Sequence, residues 1–455
     1  MSIFDFYKYP NVYKEHEELL SYIESNIENY DIFLIVSPVA GGKTVLGQCI
    51  ANWYGSACKT VPTNVLLSQE LVDYPDTHFI ARKDSYHSQG AYNRSLEWVS
   101  DISSPIICVP HSLISHKIKR EMLILDEAHK LLELNRDLYS FKILKSQFLY
   151  EDSINTREDF LSMLEFELKC PSKMGNDLKA KRYLKLIDAM TAGGQEARAD
   201  SFMLKRGYEM HRGKRKDMLQ VIPLSPPLHK IFRRFKKLVL MSATISMEDI
   251  KSLRLSESNK CVILEIPSRI PLEQRPLVKS YVGAFNYSNI PRHLPAIAQR
   301  IIDIANFHDD CKGLVHLTYD LIDKLRPYLS GNPRFKFHSK SGMELATWIE
   351  DERCDVLLAA GVSEGLNLLG ERYGFQIIGK IPWSNLNDPG IKKRMEISPA
   401  SYTWDGIRQV MQMYGRICRG ARDMGITYVI DESYERLYMD AIKFNLVPKW
   451  FREIQ

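Results

Sequence analysis

Residues 32–44 read Ile-Phe-Leu-Ile-Val-Ser-Pro-Val-Ala-Gly-Gly-Lys-Thr, and this stretch decides the fold of the chain. The apolar run 32–36 is short and continuous, as is typical of a strand buried in a parallel sheet. Residues 37–44 predict a loop, and a helix is predicted from residue 45. This order of strand, glycine-rich loop and helix places backbone N–H groups where they can hold phosphates. The stretch therefore predicts an α/β protein with a phosphate-binding loop.

The loop itself is a variant of the Walker A motif, with Ser37 where the first glycine is common. Lys43 would place its positive charge against the β- and γ-phosphates of ATP, and the Thr44 hydroxyl would bind Mg²⁺. Backbone N–H groups around Gly41 and Gly42 would surround the phosphates. We therefore predict all five residues as ATP ligands, and a glycine-rich turn without a ligand is the alternative.

Three further apolar runs, at 122–125, 238–241 and 356–360, each end in polar or small residues. In open α/β sheets, the carboxyl ends of such strands hold the ligand. The first run leads into Asp126-Glu127-Ala128-His129, a Walker B motif of the DEAH type. Asp126 would hold Mg²⁺, and Glu127 would orient or deprotonate the attacking water.

A helical pattern near the C-terminus carries Gln412, Gly415, Arg416 and Arg419. Spacings of four and three residues predict Gln412, Arg416 and Arg419 on one helical face. Arginine side chains brought to a γ-phosphate stabilise the charge of the transition state. We predict these three as catalytic residues, and a basic surface helix is the alternative.

Composition is that of an ordinary globular protein with room for about three domains. The chain has 455 residues, 45% of them hydrophobic, and a formal net charge of +5. It has no apolar stretch of about 20 residues for a membrane span and no signal peptide pattern at its start. We expect a cytoplasmic, nucleoid-associated monomer, or a nuclear one if the source is eukaryotic. None of the eight cysteines forms a CxxC pair, which argues against a zinc ribbon or a disulfide framework.

The pattern along the chain divides it into four segments. Residues 1–129 hold both Walker motifs, and residues 130–200 are charged and predict a helical insertion, with 138–149 as one of its helices. Residues 201–265 return to the first domain, and residues 266–455 alternate between strands and helices as a second α/β domain.

A basic hairpin is predicted within residues 202–222, with its tip at 211–216. Between residues 205 and 237, eleven lysines and arginines face only two acidic residues. Such a stripe can follow a phosphate backbone. We therefore predict that Lys214 and Arg215 contact nucleic acid, and a solvated loop and helix surface is the alternative.

Together these motifs resemble the XPD/DinG branch of superfamily 2 helicases. The resemblance extends over most of the chain, through segments 60–69 (motif Ia), 107–114, 242–244 (motif III), 363–367 (motif V), 380–383 with 388–389, and 412–419 (motif VI). It implies two RecA-like P-loop domains in tandem, with an arch-like helical insertion in the first. It also implies an ATP- and Mg²⁺-dependent DNA helicase or translocase that moves 5′-to-3′ on single-stranded or forked DNA.

The resemblance also assigns roles to single residues. It implies nucleic-acid contacts at Thr63, Asn64, His111 and Thr318, an ATP contact at Gly365, and coupling of hydrolysis to movement at His129, Ser242, Thr244 and Glu364. Where the branch has an adenine-reading glutamine, His16 or Glu17 stands near the expected position.

The chain departs from the branch in its cysteines. Members often carry an iron–sulfur cluster on four cysteines between the Walker motifs, but only Cys49, Cys58 and Cys108 lie there, far apart. We therefore expect no iron–sulfur cluster. The loss of that domain leaves open a nucleic-acid-stimulated ATPase that remodels protein–nucleic acid complexes with little unwinding. RNA as the polymer, and a binding protein with a degenerate ATP site, are the remaining alternatives.

Overall fold

The computed structural model describes residues 1–38, 41–62, 64–74, 77–81, 85–86, 88–100, 106–114, 118–131, 141–144, 159, 162, 202–211, 214–223, 232–252, 255, 259–286, 288–339, 343–362, 368, 372–418 and 423–454. Its strands are β1 Ile32–Val36, β2 Ala57–Val61, β3 His78–Phe79, β4 Ile106–Pro110, β5 Met122–Leu125, β6 Phe141–Leu144, β7 Phe202–His211, β8 Lys214–Pro223, β9 Lys237–Ser242, β10 Cys261–Glu265, β11 Leu277–Gly283, β12 Lys312–Leu317, β13 Phe335–Phe337, β14 Val356–Ala360, β15 Tyr373–Ile378 and β16 Ile426–Asp431. Its α-helices are α1 Lys14–Asn26, α2 Lys43–Tyr54, α3 Asn64–Asp73, α4 Gln89–Ser100, α5 Met247–Ser252, α6 Ile290–Phe307, α7 Tyr319–Leu329, α8 Met343–Glu350, α9 Pro389–Ile397, α10 Ala400–Tyr414, α11 Ser433–Lys443 and α12 Lys449–Arg452.

The first sheet has seven strands in the order β10-β1-β9-β5-β2-β4-β3, and every neighbouring pair is parallel. All residues of β1 are buried, as its apolar sequence predicts. Strand β9 lies between β1 and β5, so that the ends of the three predicted motif strands are adjacent at one edge. The predictions of buried strands at 32–36, 122–125 and 238–241 are confirmed.

The second sheet has six strands in the order β11-β16-β15-β12-β14-β13, again with parallel neighbours only. The predicted strand at 356–360 is β14 and is fully buried. Residues 266–276 connect the two sheets. One apolar cluster contains Leu240 and Ile250 from the first part of the chain and Trp404, Ile407 and Val410 from the second, so that the two parts pack against each other.

A third, antiparallel sheet is built from β6, β8 and β7 in that order. Strands β7 and β8 pair from Phe202 with Pro223 to His211 with Lys214, which confirms the predicted hairpin. The predicted helix at 138–149 is wrong over 141–144, where β6 pairs with β8. Phe141 and Ile143 alternate with Lys142 there, a pattern that suits a strand, and the segment pairs with the edge of β8 opposite β7.

Apart from residues 130–131, β6 and the single helical positions 159 and 162, the predicted helical insertion at 130–200 lies outside the described residues. Among the helices of the described residues, none has the length and apolar character that crossing a bilayer requires. The cysteines of the described part are free thiols, five of them buried.

Candidate active site

The phosphate-binding loop is shaped by two glycines whose side-chain positions are blocked. A Cβ on Gly41 would lie 2.2 Å from Ser37 Oγ, so the serine fits because position 41 is glycine. Gly42 has a left-handed backbone (φ 73°) and caps the N-terminus of α2, where Lys43 and Thr44 follow. The Ser37 N–H donates to the Ser242 carbonyl at 3.0 Å, which ties the loop to the end of β9.

His16 packs against this loop from helix α1. Its Nε2 is 2.8 Å from the Gly41 carbonyl oxygen, and its Nδ1 is 2.5 Å from the Tyr7 hydroxyl. A guanidinium nitrogen of Arg269, from the segment between the sheets, lies 2.9 Å from His16 Nε2. Burial lowers the pKa of His16, and the nearby Arg269 charge acts in the same direction. The imidazole therefore connects α1, the loop and the inter-sheet segment.

The two acidic residues after β5 differ in their surroundings. Asp126 is buried, and its Oδ1 accepts the Glu127 N–H at 2.9 Å. Burial raises the pKa of Asp126, and the Glu127 charge raises it further. Burial would also raise the pKa of Glu127, but the charges of Lys43, His129 and Arg416 outweigh it and lower that pKa. Glu127 is thus held as a carboxylate.

Glu127 also has a left-handed backbone (φ 50°), which is rare outside glycine and clusters at functional sites. Its side chain is 32% exposed, so that it can reach a bound molecule. Asp126 and the Thr44 hydroxyl are hard oxygen donors of the kind that Mg²⁺ prefers. A cation beside the buried Asp126 carboxylate would offset its desolvation, so these residues fit the expected metal.

Three of the predicted coupling residues, His129, Ser242 and Thr244, meet behind this site. His129 Nδ1 lies 2.9 Å from Ser242 Oγ and 3.3 Å from Glu127 Oε2. The same Ser242 hydroxyl accepts the Thr244 N–H at 3.1 Å. The DEAH segment and the end of β9 are therefore joined by side-chain hydrogen bonds.

The motif VI segment approaches from the second part of the chain. Gln412 Nε2 donates to Thr244 Oγ1 at 3.4 Å. Helix α10 ends at Tyr414 and Gly415 caps it, so the prediction that Arg416 continues the helical face is wrong. Arg416 lies in the following turn, where its Nε donates to the Gln412 carbonyl at 3.1 Å. Arg419, Glu364 and Gly365 lie outside the described residues.

Helix α10 makes a second contact with the first part of the chain that the sequence reasoning missed. The Trp404 indole N–H donates to Asp249 Oδ1 at 2.9 Å, and Arg408 reaches the same oxygen at 3.4 Å. Arg408 also donates to the His129 carbonyl at 3.3 Å. Asp249 is 1% exposed, in the helix that follows motif III. Its sequence surroundings give little signal, because Glu248 and Lys251 in the same short helix are charged as well.

The residues predicted to contact nucleic acid lie in separate elements of the structure. His111 is 4% exposed, and its Nε2 lies 2.8 Å from the Asp126 carbonyl oxygen, so the imidazole supports the DEAH loop from inside. Thr318 caps helix α7 by accepting the Leu321 N–H. Asn64 begins α3, and Lys214 with Arg215 begins β8. Thr63 lies outside the described residues.

Comparisons with known proteins agree with this arrangement. Residues 319–453 match the family described as the helicase C-terminal domain. The chain is similar to the apo form of XPD, with 15% identity and a TM-score of 0.63 over 94% of this chain and 98% of that one. It is also similar to an XPD helicase (12%, 0.59, 96% and 99%) and to Xpd4 of S. tokodaii (14%, 0.57, 94% and 97%). No curated protein sequence matches. The prediction of tandem RecA-like domains is confirmed.

Proposed function

We propose that this chain, an XPD-like helicase of superfamily 2, couples ATP hydrolysis to movement along single-stranded DNA and thereby to strand separation. The observation that carries the proposal is the contact of helix α10 in the second domain with the segments that follow β5 and β9 in the first. Gln412 donates to Thr244 at 3.4 Å, and Arg408 donates to the His129 carbonyl at 3.3 Å. A nucleotide bound at the α2 N-terminus would therefore lie beside residues from both domains.

In this proposal ATP lies with its phosphates at the N-terminus of α2, where Lys43 neutralises charge on the β- and γ-phosphates. Thr44 and Asp126 would hold Mg²⁺, which supplies further positive charge to those phosphates. Glu127 accepts a proton from the attacking water, whose oxygen bonds to the γ-phosphorus as the bond to the bridging oxygen breaks. ADP and phosphate are the products. Arg416 stabilises the charge that develops on the γ-phosphoryl group.

Hydrolysis would be transmitted through the hydrogen bonds behind the site. The loss of the γ-phosphate changes the surroundings of Glu127, and His129 connects that carboxylate to Ser242. Ser242 in turn holds Thr244, which contacts Gln412 of the second domain. We propose that this chain of contacts alters how the two domains, 1–265 and 266–455, sit together in each cycle.

DNA would run across both domains and be held mainly through its phosphates, so that binding has little sequence preference. The hairpin of β7 and β8 carries Lys214 and Arg215 and would contact the polymer. The resemblance supports 5′-to-3′ movement and an intracellular site of action on single-stranded or forked DNA.

The first experiment measures ATP hydrolysis by the purified protein without polymer, with single-stranded DNA, and with single-stranded RNA. We expect DNA to stimulate turnover many-fold and Lys43→Ala to abolish it. Glu127→Gln should keep ATP binding and lose turnover by about 10²-fold or more. Turnover that is absent, or indifferent to both polymers, would refute the proposal.

A second experiment separates unwinding from remodelling. Opening of a forked duplex is measured beside displacement of a protein bound to single-stranded DNA, at equal ATP turnover. Robust duplex opening supports the helicase. Displacement without opening would favour the remodelling ATPase instead.

A further inference from the structure

A fully buried ion pair lies next to the proposed ATP site but belongs to none of the motifs. Lys59 is in the middle of β2 with its side chain 0% exposed, and Glu70 is on α3 with its side chain 6% exposed. The Lys59 ammonium is 2.5 Å from Glu70 Oε2 and lies 5.6 Å from the centre of the Tyr74 ring. The pair therefore joins the sheet to helix α3 at a site shielded from bulk solvent.

The same ammonium also reaches the phosphate-binding helix. Lys59 Nζ donates to the Thr44 carbonyl oxygen at 3.4 Å, in the first turn of α2. The next residue of β2, Thr60, accepts the Asp126 N–H with its carbonyl at 3.0 Å. Lys59 thus contacts Thr44, one of the two residues that would bind Mg²⁺. Its neighbour in β2, Thr60, holds the other, Asp126.

The energetics of such a pair indicate a role other than stability. Removing two charges from water is costly, and an apolar pair of similar volume often stabilises a protein as well or better. The Lys59 site is enclosed by the sheet, opposite Cys108 on β4 and Ile124 on β5, where apolar residues would fit. An ion pair at such a site supplies directional contacts that apolar side chains cannot make.

We propose that Lys59 and Glu70 are positioning residues that transmit polymer binding at the start of α3 to Thr44. Helix α3 begins at Asn64, where the motif Ia segment would meet DNA. A shift of α3 on DNA binding carries Glu70, and Lys59 follows because both side chains are shielded from solvent and the ammonium keeps its carboxylate partner. The Thr44 carbonyl moves with the ammonium, and this sets the Thr44 hydroxyl for the metal. The inference rests on the proposed function.

The test is the mutual effect of ATP and DNA on each other's binding. In a Glu127→Gln background, the affinity for a fluorescent oligothymidylate is measured with and without ATP and Mg²⁺. If ATP tightens DNA binding by some factor, DNA must tighten ATP binding by the same factor. We expect about tenfold in the parent protein, and a factor near one in Lys59→Met/Glu70→Leu, with each ligand still bound.

The double replacement separates positioning from stability. Each single variant leaves a buried charge without its partner and should melt at a lower temperature, whereas the apolar double variant should melt near the parent. Lys59→Arg keeps a positive charge at this position and should therefore retain part of the coupling factor. The control is Lys8→Ala, which removes the half-exposed pair of Lys8 with Asp73 on the same helix and does not reach α2.

The outcomes distinguish the two proposals. A parent protein whose turnover ignores every polymer refutes the proposed function, and with it the coupling. A stimulated parent together with a double variant that keeps the tenfold factor refutes only the positioning role. A factor lost equally in the Lys8→Ala control also refutes it, because any disturbance of α3 would then suffice.

Discussion

Replacing Gly42 by alanine should destabilise the protein far more than the same change at Gly55, although both glycines have left-handed backbones. Gly42 and Gly55 cap the two ends of α2 with φ angles of 73° and 75°. An alanine in this conformation costs about 1–2 kcal/mol at either position. The two differ in their surroundings, because a Cβ on Gly55 meets nothing within 4 Å.

At Gly42 the new methyl group would lie 2.6 Å from Cε1 of the His16 ring, closer than real atoms pack. The ring must move, and it would leave its contact with the Gly41 carbonyl at 2.8 Å. Leaving a buried polar group unpaired costs about 1–3 kcal/mol. We therefore expect Gly42→Ala to lose about 2–5 kcal/mol and Gly55→Ala about 1–2 kcal/mol.

The assay is urea unfolding followed by circular dichroism, with the free energy of unfolding extrapolated to water. In a His16→Ala background, Gly42→Ala should cost no more than Gly55→Ala, since the obstructing ring is gone. We also expect Gly42→Ala to raise the KM for ATP and Gly55→Ala to leave it unchanged. Equal losses at the two glycines, or a difference that persists without His16, would refute the reasoning.

Other predictions follow from buried polar groups. Burial lowers the pKa of His316 from 6.5 to about 4, so that between these pH values the unfolded ring binds a proton that the folded ring does not. The free energy of unfolding should therefore fall by about 3 kcal/mol as the pH is lowered from 6.5 towards 4. The His316→Asn variant should not show this loss of unfolding free energy over the same pH range. A pH dependence equal to that of the parent protein would contradict the prediction. Trp404→Phe removes the N–H that Asp249 accepts at 2.9 Å and should cost about 1–3 kcal/mol in urea unfolding, with a loss below that range speaking against the contact. Asp431→Asn leaves the buried end of Lys380 without its counter-charge and should cost about 3–5 kcal/mol by the same assay, whereas a neutral effect would show that the pair is dispensable.

The sequence alone predicts those elements whose own residues indicate that they are buried. Strands β1, β5 and β14 are continuous apolar runs, and only a sheet with both faces covered accommodates such runs. The hairpin of β7 and β8 was predictable from its two flanking strands and polar tip. In each case the local pattern and the tertiary environment agree.

What the sequence could not give depends on partners far along the chain. The sequence of β6 is compatible with a helix or a strand, and its pairing with β8 decides for the strand. The end of α10 at Tyr414 depends on the turn that brings Arg416 towards Glu127, which periodicity does not indicate. A lysine within a buried strand, such as Lys59, is a visible signal, but its partner Glu70 is identified only by the packing of α3.

The strand order of the first sheet has a consequence for how the protein is made. Both neighbours of β1, which are β9 and β10, are translated only after residue 236. At about 5–20 residues per second, the all-apolar segment Ile32–Val36 waits on the order of 10–40 s for either partner. During synthesis this segment is an unpaired strand of the kind that joins other chains. Until β9 and β10 are made, this segment therefore has to be covered by chaperones or by contacts with α1 and α2.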